Sequence, residues 1–199
     1  MTKKLNAIEC IKEIVRKDCQ LDLIDADWTF KAKLLEPRQS DYSVMLTGIP
    51  SNSIIIRSDL FADQREFIKG DKGENKRCDY ILISEKEDEK SFKYIVVFIE
   101  FSISKKDPLE LEQQFRGGKC VLEYLRRLAS EFWDFQNILS SYSPKFVSIQ
   151  VLNIGKQKTI SDDMRKDKGK QKNCHSSPNN FERVRKSNGA TYYFKKLIE

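Results

Sequence analysis

The stretch FKYIVVFIEFS, from Phe92 to Ser102, constrains this chain more than any other. Its middle is apolar at even and odd positions alike. A strand with that pattern is covered on both faces and sits centrally in a sheet. The same stretch carries a carboxylate, Glu100. Burying an unpaired carboxylate is costly, so Glu100 asks for a partner cation, a metal ion or a solvated cleft.

The segments around it predict the rest of the sheet. Leu5, Ile8, Ile11, Ile14 and Val15 recur at helical spacing, which marks an amphipathic helix. SIIIR, Ser53 to Arg57, and CDYILIS, Cys78 to Ser84, read as strands. The acidic EKEDEKS, Glu85 to Ser91, connects the second of these to the central strand as an exposed hairpin. Asp107-Pro108 opens a helix, with Asp as N-cap and Pro at the first helical position. That helix is expected to run to about Phe135, with Leu111, Phe115, Gly118, Leu122, Leu125 and Ala129 on one face. Glycine inside a helix costs about 1 kcal/mol against alanine, so Gly118 implies close approach of the helix backbone to the sheet. KFVSIQVLNI, Lys145 to Ile154, is a fourth strand, and Thr191 to Leu197 a final one. Trp28 to Leu35 fits neither period clearly. The fold class expected is α/β, a central mixed sheet flanked by helices. Residues 1–154 form its core, and residues 155–199 a basic loop and closing strand of the same domain.

A chain of 199 residues with 39% hydrophobic content can build one real core. No apolar run is long enough to span a membrane, and Glu9 and Glu13 interrupt any leader-like region. A cytoplasmic protein is therefore expected. The five cysteines are scattered, with no C-x-x-C pair, which suits reduced thiols. The net charge of +6 is uneven. Residues 155–199 hold 12 Lys and Arg against five Asp and Glu, so all the excess positive charge sits there. Lys166, Lys168, Lys170, Lys172, Arg183 and Arg185 are the candidate nucleic-acid contacts. A solvated, lysine-rich loop accounts for the same composition. There is no G-x-x-x-x-G-K-[ST] loop, which argues against an ATPase.

Asp79 begins one predicted strand, and Glu100 lies near the end of the next. An antiparallel pairing of the two brings both carboxylates to one end of the sheet. Two converging carboxylates suit a divalent cation such as Mg2+ or Mn2+, which can orient a phosphate and activate water. Side chains alternate along a strand, so Ser102 shares the side of Glu100.

In RCDYILI, FIEFS and the helix carrying Gln113 and Gln114, the chain resembles the PD-(D/E)XK nuclease superfamily. That pattern is an aspartate at the start of one strand, (Asp/Glu)-x-Lys on the following strand, then a helix packed on the sheet. The resemblance spans roughly residues 54–154. It implies a restriction-endonuclease-like fold and Mg2+- or Mn2+-dependent cleavage of DNA, with Asp79 and Glu100 as metal ligands. In the family the lysine helps position or deprotonate the attacking water. Here Ser102 stands in its place. Lys119 on the following helix is the candidate substitute, with Lys105 and Lys106 nearer in sequence but in the connecting loop. Glu9 or Glu13 could supply the additional acid that some members carry on their first helix. Two alternatives stay open: an inactive nuclease-fold module for binding or assembly, and a nucleic-acid-binding protein without chemistry. A homodimer or larger complex is compatible with each.

Overall fold

The five-stranded sheet at the centre of the computed structural model is built around the stretch that dominates the sequence. Residues 5–37, 39–61, 67–86, 93–152 and 175–199 are described. Strand β6 (Tyr94–Ser102) is buried along its whole length. On one side it pairs antiparallel with β5 (Tyr80–Glu85), which pairs antiparallel with β4 (Ser53–Arg57). On the other side lies β7 (Tyr142–Leu152), parallel to β6, and then β8 (Glu182–Ser187), parallel to β7. The crossover from β6 to β7 is α2 (Pro108–Phe132), a connection long enough to join parallel neighbours.

One face of this sheet carries α1 (Ala7–Ile14) and α2, packed on Ile54, Ile56, Ile81, Ile83, Val96, Phe98 and Phe146. Helix α1 starts with a reciprocal cap: Asn6 Oδ1 accepts from Glu9 N at 2.8 Å, and Asn6 N donates to Glu9 Oε2 at 3.0 Å. Helix α2 starts as expected, with Asp107 as N-cap and Pro108 in its first turn. Gly118 is buried against Cys78 and Phe98, as its place in the apolar stripe requires. Gly117 is tighter still, because a Cβ there would overlap the Lys76 carbonyl.

The sequence predicts a single central mixed sheet with helices against it, and the opposite face adds to that. A second mixed sheet covers it, in the order β1 (Ile24–Ala26), β2 (Thr29–Glu36), β3 (Gln39–Ile49), β9 (Ala190–Tyr193). Ala32, Leu34, Val44 and Leu46 meet Leu82, Val97, Ile99, Val147 and Ile149 in the core between the sheets. The final strand is also shorter than expected. After Tyr193 the chain turns into α3 (Phe194–Ile198), because Phe194 and Leu197, three apart, bury together only on a helix. No helix among the described residues is long and apolar enough to cross a membrane.

Candidate functional site

The site forms where β5 begins and β6 ends. Asp79 immediately precedes β5, and Tyr80 pairs with Ile99. One step further, the antiparallel register brings Asp79 opposite Glu100. Val96 and Phe98 fix the parity of β6: even positions look toward the helices, so Glu100 and Ser102 do too. Asp79 is held from two directions. Its Oδ2 accepts from Phe101 N at 2.7 Å. Its carbonyl accepts from Ser58 N at 2.9 Å, and Ser58 Oγ donates to the Cys78 carbonyl at 2.6 Å.

Glu100 has no solvent exposure, and its Oε1 accepts from Lys106 Nζ. The lysine against the carboxylates is therefore Lys106, folded back from the loop after β6. Lys119 sits exposed on α2. Gln114, one turn and a half into α2, lies beside Glu100 and favours its charged form. Three buried polar atoms here have no hydrogen-bond partner among the described residues: Glu100 Oε2, Ser102 Oγ and Gln114 Oε1. Buried polar groups are normally satisfied, so such a cluster calls for an explanation.

The electrostatics match this crowding. Burial raises Asp79 well above the usual carboxylate range, and the charge of Glu100 adds to the rise, against the Phe101 amide and Lys106. Burial lifts Glu100 to about 7, with Lys106 opposing. Burial draws Lys106 down, but Glu100 and Asp79 more than offset it and leave it raised. A further acid acts on both carboxylates: Glu36, from the second sheet. Tyr80 Oη donates to the Leu35 carbonyl at 2.6 Å and accepts from Leu35 N at 3.0 Å, which ties the end of β2 to the site. The β2–β3 register shifts between Leu35 and Glu36, and such irregularities re-aim side chains.

The structure places the two acids of the first helix differently. Glu9 closes the cap of α1, and Glu13 is exposed. Arg183 and Arg185 lie on β8, exposed. Lys166, Lys168, Lys170 and Lys172 lie outside the described residues. His175 is buried, with Nε2 2.8 Å from the Leu197 carbonyl, and fastens the chain end.

The residues present fit a divalent cation. A buried carboxylate, Glu100, and a half-buried one, Asp79, lie near one ammonium, and a Glu100 oxygen is left without a hydrogen-bond partner among the described residues. Among the described residues no group of three or more His, Cys, Asp or Glu forms a ready cage. Mg2+ commonly takes one or two carboxylates and completes its shell with water and substrate phosphate. No family model, curated protein or solved structure matches this chain.

Proposed function

We propose that this chain is a metal-dependent endonuclease that hydrolyses phosphodiester bonds in DNA, with Asp79 and Glu100 as the ligands of Mg2+ or Mn2+. The observation that carries the reading is the pair of half-buried Asp79 and fully buried Glu100 on neighbouring strands, with Lys106 on Glu100. The chain order of aspartate, acid and helix in β5, β6 and α2 supports the nuclease resemblance and its restriction-endonuclease-like fold.

A bound divalent cation supplies Lewis acidity toward a phosphoryl oxygen and lowers the pKa of its water. The chain supplies the rest. The Phe101 amide orients Asp79. Lys106 holds Glu100 and sets an ammonium beside the acids, from where it can help position the attacking water as the family lysine does. Its reach from the loop compensates for Ser102. Burial keeps bulk water away, which strengthens each of these interactions.

Ser102 favours a second reading, an inactive nuclease fold kept for binding or assembly. One assay separates the two: cleavage of single- and double-stranded DNA and RNA with Mg2+ or Mn2+. The endonuclease reading expects DNA cleavage that Asp79→Asn abolishes and Lys106→Met lowers by about 100-fold or more. No cleavage of any substrate with either ion would favour the binding module.

A further inference from the structure

The carboxylate end of the sheet continues as a polar row across β7 and β8. Glu100 is in register with Ser148, and Ser148 with Arg183. One row above, Ser102 is in register with Gln150, and Gln150 with Arg185. Partners in a parallel ladder point to the same face. Phe98 and Phe146 assign that face to the helix side, while Val184 packs on the opposite side. Arg183 and Arg185 therefore share the face of Glu100. Neighbouring strands are about 4.8 Å apart, which puts the Arg183 backbone about 10 Å from that of Glu100.

We infer that Arg183, Arg185 and Gln150 form a phosphate-binding row along which a phosphodiester backbone crosses the end of β6, the second half of β7 and the start of β8. The inference rests on the hydrolytic reading for the phosphate that reacts at Asp79 and Glu100. Neither arginine has an acidic partner among the described residues, so both guanidinium charges are uncompensated there. Arg183 is also pre-organised. Its guanidinium lies 5.3 Å from the Phe181 ring centroid, and Phe181 packs 5.4 Å from Phe115 of α2.

The spacing admits a polymer. Two residues apart on a strand, the arginine backbones stand about 6.6 Å apart, so each long side chain can reach its own phosphate along one strand. Each planar fork can take its own phosphate in a bidentate manner. The row also adds positive charge, beside that of Lys106, near acids that repel a polyanion.

The test is binding of labelled single-stranded and duplex oligonucleotides to the full chain in EDTA, across a salt series. For Arg183→Gln/Arg185→Gln, affinity should fall. The slope of log K against log[salt] should flatten by about 1.4 on single strands or about 1.8 on duplex, at about 0.7 or 0.9 per lost phosphate. The melting temperature should not change, because both side chains are exposed. Unchanged affinity and slope on both oligonucleotides would overturn the row. Cleavage of bis(p-nitrophenyl) phosphate with Mn2+ involves no flanking phosphate. It should be equal in wild type and variant, and a variant that loses it would also overturn the row, because the arginines would then serve the reacting phosphate itself. Absence of this cleavage in the wild type bears on the hydrolytic reading, while the salt slope still decides the row.

Discussion

The two faces of the five-stranded sheet treat buried polar groups differently. On the face toward the second sheet, polar groups pair among themselves. Ser53 Oγ donates to Ser84 Oγ at 3.0 Å, and Tyr80 Oη is shared with both backbone groups of Leu35. On the helix face, at the end of β6, Glu100, Ser102 and Gln114 each leave an oxygen without a partner. The same strands make both faces, so the contrast comes from residue parity alone. On one face the five-stranded sheet's own Ser53, Ser84 and Tyr80 are satisfied and serve cohesion. The other gives up stability at one end, and that is where the chemistry we propose would occur. Unsatisfied groups and raised carboxylates collect at sites poised to receive something.

The largest effect should come from the seating of α2 on the helix face. Gly117→Ala pushes a methyl group into the Lys76 backbone carbonyl, two residues before Cys78 and three before Asp79. Overpacking usually costs 1–3 kcal/mol, and a rigid backbone obstacle puts this variant at about 3 kcal/mol or more by denaturant unfolding. Gly118→Ala meets the Cys78 and Phe98 side chains instead and should cost less. Equal stability of Gly117→Ala and wild type would show that the helix sits further from the sheet.

The second effect is a pH dependence confined to the helix face. The folded chain holds the Glu100 proton more tightly than the unfolded chain, since the pKa rises from 4.5 to about 7. Between those values the folded state binds more protons, so stability falls as pH rises. In cation-free buffer the Glu100 contribution to that loss is on the order of 3 kcal/mol. Asp79, also raised, acts in the same direction. Thermal melts in EDTA should therefore decline from about pH 4.5 to about pH 7. Asp79→Asn should flatten the decline, because it removes a half-buried charge beside Glu100 and keeps an acceptor for Phe101 N. A flat wild-type profile would remove the contrast between the faces.

Tyr80→Phe probes the satisfied face. It strips two backbone groups of Leu35 of their partner and should cost about 1–3 kcal/mol. It should also loosen the end of β2, where Glu36 lies, and so weaken the pH dependence slightly. The smallest change is Asn6→Ala, which removes the cap of α1 for about 1 kcal/mol and leaves the pH profile alone.

Much of the helix face was legible in the sequence. Double-sided apolarity placed β6, Asp107-Pro108 placed the start of α2, and the Asp79–Glu100 order followed from two adjacent strands. The second sheet was harder to see. Lys31, Ala32, Lys33 and Leu34 do alternate, but Leu35 breaks the period and the hairpin turn follows at once. Strand β8 has one buried residue, Val184, among polar neighbours, so an edge strand looked like loop. Lys106 was missed as the cation on Glu100 because helical periodicity favoured Lys119. A loop lysine that folds back obeys no period. Glu36 is 43 positions from Asp79, and its strand comes close through the packing of Ala32 and Leu34 and the bond from Tyr80 to Leu35.

The central claim is that Asp79 and Glu100 together hold a divalent cation. Calorimetric titration of Mn2+ into the full chain at about pH 8, where both carboxylates lose their protons most readily, tests it most directly. The account predicts saturable binding of one ion by the wild type, and none by Asp79→Asn or Glu100→Gln, both still folded by circular dichroism. Lys106→Met should bind at least as tightly as wild type, since it removes the competing ammonium. A wild type that binds no Mn2+, or an Asp79→Asn variant that binds it equally well, would contradict the account.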